Sequence, residues 1–126
     1  MASEKGVEPP VDFSKPTVFD KIIAKEIPAN IVYEDDHSLA FHDINPQAPV
    51  HVVIIPKRRI PMLSMAKESD KEILGHLMLT AAKVAELVNL QDGYRVLVNN
   101  GKNGLQSVYH IHLHLIGGRT LKWGPF

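Results

Sequence analysis

Apolar positions along the chain follow two rhythms, alternate residues and steps of three and four, and the changes between them mark out the elements. "PTVFDKIIAKEIP" places Val18, Ile22 and Ile23 at helical spacing, with Pro16 suited to a helix start and Pro28 to a stop, which predicts a short helix over Thr17 to Lys25. "IVYEDDHSLAFHDI" gives two β-prone runs, Ile31 to Glu34 and Leu39 to His42, about a polar turn, and so predicts a hairpin. The loop "NPQAP" leads into "VHVVIIP", a β-branched run that reads as a largely buried strand ending at Pro56. In "SDKEILGHLMLTAAKVAELVNL", Ile73, Leu77, Ala81, Val84 and Val88 recur at three and four residues. Ser69 and Glu72 have capping-box spacing there, so a helix is expected from Asp70 to Asn89. Leu74, Met78, Ala82 and Ala85 widen its stripe beyond what a sheet alone covers, an excess suited to a second subunit. "YRVLVNN" reads as a strand, "NGKNGLQS" as a glycine-bearing loop, and Val108 to Ile116 as a last strand. Five strands and two helices, with one long helical excursion, predict an α+β fold around a five-stranded, mostly antiparallel sheet.

The last strand carries the candidate chemistry. In "YHIHLHLIGGR" the histidines His110, His112 and His114 alternate with Ile111, Leu113 and Leu115, so one face is imidazole and the other apolar. At about 3.3 Å per residue the outer two histidines of an extended strand stand about 13 Å apart, whereas ligands of one zinc sit about 2.1 Å from it, so all three on one ion would need a bent strand. A neighbouring pair can still chelate, and a pair with His51 or Asp43 leaves a zinc site open. The other chemical reading uses imidazole as nucleophile or proton carrier, since much of it is neutral at pH 7 and a histidine nitrogen takes and releases phosphorus readily. The preceding loop suits an anion: Asn99 and Ser107 can donate hydrogen bonds, and Gly101 and Gly104 let backbone amides approach.

Bulk properties narrow the field. The chain of 126 residues is the size of one domain, and its 14 basic side chains balance 14 acidic ones, so no electrostatic footprint for nucleic acid or a charged membrane is present. Cysteine is absent, which removes disulfides and thiolate metal sites. The opening "MASEKGVEPPVDFSKP" is polar and proline-rich. A disordered arm is expected over residues 1–11 with the domain over 12–126, and a cytoplasmic protein that also reaches the nucleus is expected from the lack of a signal-like or membrane-spanning run.

"QSVYHIHLHLIGGR" together with "FHDINPQAPVHVVIIPK" resembles the histidine triad family, and within it the nucleotide-binding Hint branch, over about nine-tenths of the chain from Thr17 onward. The resemblance implies a HIT-like fold that pairs into a ten-stranded sheet in a homodimer. It implies a purine nucleoside phosphoramidase that needs no cofactor or metal and releases AMP or GMP through a nucleotidyl-histidine intermediate. By that likeness His112 is the nucleophile, oriented by the His110 backbone, while His114, Asn99 and Ser107 hold the phosphate and leaving group and His51 supports the triad. Asp43 binds the ribose, Phe19, Ile22, Phe41 and Ile44 sandwich the purine, and Leu105, Gln106 and Val108 complete the nucleotide site. Trp123 reaches the partner's leaving group. Leu105 departs from the pattern, since relatives often carry glycine there. A non-catalytic nucleotide-binding or scaffold protein and a histidine-based zinc protein are the competing readings.

Overall fold

A computed structural model describes residues 6–124. The strands are β1 (Ile31–Glu34), β2 (Ser38–His42), β3 (Val50–Pro56), β4 (Tyr94–Val98) and β5 (Leu113–Gly117), flanked by the helices α1 (Val18–Ile23) and α2 (Lys71–Leu87). They form one sheet in the order β1-β2-β3-β5-β4, every neighbouring pair antiparallel, which is the α+β fold expected from the sequence. β3 lies at the centre and is buried from His51 to Pro56, so its unbroken β-branched run has apolar partners on both faces.

Strand alternation sorts the core into two layers. On one face Ala40, Val52, Ile54, Leu113 and Leu115 pack against Leu77, Ala81, Val84 and Ala85 of α2. On the other, Leu39, Phe41, Val53 and Ile55 pack against Phe19 and Ile22 of α1, with Val108 beside them. Val53 is the cross-strand partner of His114, and His51 lies two residues from Val53 on the same strand, so both imidazoles stand on the α1 face. Leu113 and Leu115 therefore anchor the strand under α2, while His114 faces the other way.

Element ends differ from expectation where the backbone turns back on itself. α1 stops at Ile23 rather than Lys25, because Lys25 takes a left-handed φ of 62° and Glu26 returns its N–H to the Lys21 carbonyl at 2.9 Å. α2 likewise ends at Leu87 rather than Asn89, which has a φ of 62°, with the Leu90 N–H on the Ala85 carbonyl at 2.9 Å. The Ser69–Glu72 capping box is replaced by a short 3₁₀ turn, Glu68–Asp70, in which the Asp70 carboxylate accepts the Lys67 N–H at 2.8 Å and the Arg58 guanidinium at 2.6 Å.

The histidine strand is shorter than expected, starting at Leu113 instead of Val108. Ahead of it the chain bonds to loops and not to a ladder: Ile111 donates to the Ile60 carbonyl at 2.6 Å, and the Val108 carbonyl accepts the Gln106 amide at 3.0 Å. His110 and His112 thus lie outside regular β-structure. Residues 1–5 of the expected arm lie outside the described residues, whereas Val7 is fastened to the loop before the histidines, its N–H on the Gln106 carbonyl at 2.9 Å.

Candidate active site

Each histidine is held by a main-chain group or by another histidine, and these bonds assign its protons. His112 Nδ1 lies 2.8 Å from the His110 carbonyl, which accepts only, so Nδ1 carries the hydrogen and the lone pair is on Nε2. His110 Nε2 lies 2.7 Å from the Pro56 carbonyl and carries its hydrogen for the same reason. The Gln47 N–H donates to His51 Nδ1 at 3.0 Å, which leaves the hydrogen of a neutral His51 on Nε2. That atom is 2.8 Å from His114 Nδ1. His114 therefore accepts at Nδ1 and holds its own hydrogen on Nε2, a buried donor without a partner among the described residues. An unprotonated nitrogen on His112 and a donor N–H on His114 result, the two rings 4.9 Å apart between centroids.

Burial sets the charge. Desolvation lowers His112 to about 4, with the charges of neighbouring histidines adding to it, and lowers His114 to about 3 for the same two reasons. Burial also lowers His110 and His51, in the latter case against the pull of the Asp43 carboxylate. All four imidazoles are neutral at pH 7, so the His112 lone pair is available without a base to uncover it. The Phe19 ring meets His112 edge-on at 5.0 Å and 86°, fixing the imidazole plane from the α1 side.

Asp43 follows β2, and its N–H on the His51 carbonyl at 2.9 Å continues the pairing. Its Oδ1 accepts the Asn45 N–H at 2.8 Å, while Oδ2 is buried, without a hydrogen-bond partner among the described residues, and 3.5 Å from His51 Nε2. With His51 neutral this is an open acceptor, suited to a hydroxyl. Single donor atoms of Asp43, His51 and His114 lie within 4.8 Å of one another, so this trio, rather than a pair from the triad, is the arrangement that fits a zinc ion's nitrogen and oxygen ligand set.

Other expected site residues divide. Phe19, Ile22 and Phe41 are buried core, Phe19 meeting Phe41 edge-to-face at 5.7 Å, and of the expected purine sandwich only Ile44 presents surface, at 77% exposure. Those three pack against Leu39, Val53, Ile55 and Val108. Asn99 and Ser107 are half-buried on the loop, and Trp123 is exposed. Gln106 shapes the loop from within: its Oε1 accepts the Gly101 N–H at 2.9 Å and its Nε2 reaches the Pro61 and Val108 carbonyls at 2.9 and 3.0 Å. Leu105 has a φ of 66°, the region glycine enters freely, at a cost to a leucine of about 1–2 kcal/mol. Its amide is still available to shape the turn, donating to the Lys102 carbonyl at 3.0 Å.

Sequence reasoning missed Gln47, Pro56 and Ile60, which act through main-chain groups that leave no residue-type signal. It also missed Arg59, whose guanidinium binds the Phe13 and Lys15 carbonyls and the Asp20 carboxylate and so holds α1 over the histidines. Two cavities of about 600 and 500 Å³ lie elsewhere, one beside Tyr94 and Arg119 and the other beside His37 and His76.

Comparison with known proteins agrees with this geometry. The HIT domain model matches residues 24–121. The chain is 53% identical over 127 residues to a 14 kDa zinc-binding protein of Zea mays, covering 99% of each. It is 53% identical over 130 residues to the adenylylsulfatase HINT1 of Arabidopsis thaliana, covering 99% of this chain and 87% of the relative. A HIT family hydrolase from Legionella pneumophila superposes with a TM-score of 0.85 at 46% identity, over 88% of this chain and all of that one.

Proposed function

The chain belongs to the HIT domain family, and on that premise we propose that it is a hydrolase of purine nucleoside 5′-phosphoramidates. The His112 Nε2 lone pair attacks the α-phosphorus, the P–N bond breaks, and the departing nitrogen, held by the His114 Nε2–H hydrogen bond, takes a proton from solvent and leaves as the amine. Water then attacks the nucleotidyl-His112 intermediate, the His112–P bond breaks, the water's proton returns to solvent and AMP or GMP is released. The N–H that His51 donates into His114 Nδ1 makes the opposite N–H of that ring more acidic, which suits it to the leaving group. Asp43 Oδ2 accepts from the ribose hydroxyls, and Asn99 and Ser107 hold the phosphoryl oxygens. The base lies along Ile44, with Phe19, Ile22 and Phe41 behind it.

The single observation that carries this reading is the His110 carbonyl at 2.8 Å from His112 Nδ1, which turns a neutral lone pair outward from a buried ring. Chelator-treated protein incubated with adenosine 5′-monophosphoramidate, beside His112→Ala, tests it. AMP from the wild type alone is expected; equal and negligible turnover in both overturns the enzyme and leaves a nucleotide-binding or scaffold module. The name of the Arabidopsis relative makes adenylyl sulfate the second substrate for the same assay, with sulfate in place of the amine.

The name of the maize relative and the convergence of Asp43, His51 and His114 favour zinc as a second reading. Activity that returns to the chelated protein only on addition of zinc supports it.

A homodimer belongs to the same proposal. Met78 and Leu79 of α2 are 55% and 74% exposed, and β4 ends the sheet, so two copies joined there make ten strands and bring Trp123 to the partner's site. Light scattering at micromolar concentration reads the mass directly. No helix among the described residues is long and apolar enough to cross a membrane, and cytoplasm with access to the nucleus is the compartment we propose, to be checked by imaging a fluorescent fusion.

A further inference from the structure

The loop before the histidines is tied at two points by one residue of the N-terminal segment. The Val7 N–H donates to the Gln106 carbonyl at 2.9 Å, and the Val7 carbonyl accepts the Tyr109 hydroxyl at 2.6 Å. Ser107 and Val108 lie between those two anchors. On either side of Val7 the segment meets the same loop again. A Cβ added to Gly6 would fall 1.9 Å from the Lys102 carbonyl oxygen, so backbone lies on backbone there, and the Glu8 carboxylate pairs with Lys102 Nζ at 3.0 Å. Phe13 then brings its ring to 6.3 Å from Tyr109 before Arg59 takes hold of the chain.

The loop has reason to need such ties. Gly101 and Leu105 both carry positive φ, 73° and 66°, and a leucine in that region persists only where its surroundings determine it. Gln106 supplies part of that constraint with its side chain, and its backbone carbonyl is met from outside the loop by the Val7 N–H. Tyr109 is buried with its hydroxyl turned to the strap, so the bond is shielded from competing water.

We infer that Gly6–Glu8 is a strap whose main chain positions the anion-binding loop, with Val7 and Tyr109 as positioning residues for Ser107. The catalytic consequence rests on the phosphoramidase reading; the strap itself does not. Recognition runs through Val7 backbone groups, its side chain being 49% exposed, so the identity of residue 7 matters less than its N–H. Gly6 is required because no side chain fits.

Four variants of the full chain separate these roles: Val7→Ala, Val7→Pro, Gly6→Ala and Tyr109→Phe. Hydrogen exchange over residues 101–109 and steady-state kinetics with adenosine 5′-monophosphoramidate are read on each. Val7→Ala is expected to match the wild type. Val7→Pro, which deletes the N–H, Gly6→Ala and Tyr109→Phe are each expected to speed loop exchange and raise KM about fivefold, the order for one lost neutral hydrogen bond, while kcat changes less. Wild-type exchange in both Val7→Pro and Gly6→Ala overturns the strap, as does Val7→Ala behaving like Val7→Pro. Fast exchange in the variants of a protein that turns over no phosphoramidate upholds the strap and sinks the substrate assignment.

Discussion

His51 Nε2 and His114 Nδ1 lie 2.8 Å apart, and the Gln47 N–H on the far side of His51 gives this bond a direction. Because a backbone amide only donates, hydrogen runs from Gln47 to His51 to His114 and ends on His114 Nε2. A pattern of four buried neutral imidazoles thereby becomes one donor, on His114 Nε2, and one lone pair, on His112 Nε2.

His51→Ala should release that tautomer. Loss of roughly ten- to a hundredfold in kcat/KM is expected, the scale on which outer partners of a reactive imidazole act. Nitrogen-15 spectra should show His114 protonated on Nε2 in the wild type and a mixture in the variant; an unchanged His114 tautomer would count against the relay.

Acid inactivation should come late. With His112 lowered to about 4 and His114 to about 3, kcat/KM for the phosphoramidate should stay level from pH 8 to about 5 and fall only below that. An acidic limb centred near 6.5, the ordinary histidine value, would show that the reactive imidazole is not desolvated as the structure has it.

The same groups link folding to pH in the opposite sense from a salt-bridged histidine. Their folded values lie below the unfolded value, so between about pH 6.5 and 4 the unfolded chain binds protons that the folded chain refuses. Stability is full above that window and declines as pH falls through it, by at most about 1.4 kcal/mol per pH unit for each such histidine. Urea midpoints at pH 7.5, 6 and 5 should drop in that order. Carboxylates such as Asp20, lowered by the Thr17 N–H and Arg59 against the cost of burial, contribute stability that is lost only at lower pH.

Leu105 offers a backbone test. Leu105→Gly should leave stability equal or slightly higher, as relief at a φ of 66° is offset by the freer unfolded chain. Leu105→Val should cost about 1–2 kcal/mol, since a β-branched residue tolerates that region worse. Thermal denaturation of the three proteins ranks them, and a valine variant as stable as glycine would contradict the left-handed backbone.

Phe19 serves both core and site. Phe19→Ala should destabilise by about 3–5 kcal/mol through the cavity it leaves, and should slow turnover beyond that by freeing the His112 ring. Phe19→Leu, which refills much of the space but lacks the ring edge, should recover most of the stability measured in urea and less of the rate.

Local pattern alone placed the five strands, the two helices and the two-faced character of the last strand, because backbone period and side-chain hydrophobicity act over a few residues. "VHVVIIP" is buried on both faces as its composition demands, and Leu113 and Leu115 lie under α2 as alternation requires. The likeness of "QSVYHIHLHLIGGR" to the histidine triad family identified the family. What it could not convey was the bend that takes His110 and His112 out of the strand, or the meeting of Asp43, His51 and His114. Those were decided by tertiary structure, and the reason is common to all. The Gln47 amide and the carbonyls of Pro56, Ile60 and His110 direct the site, and a main-chain group is the same in every residue until the fold brings it within 3 Å or so of a ring.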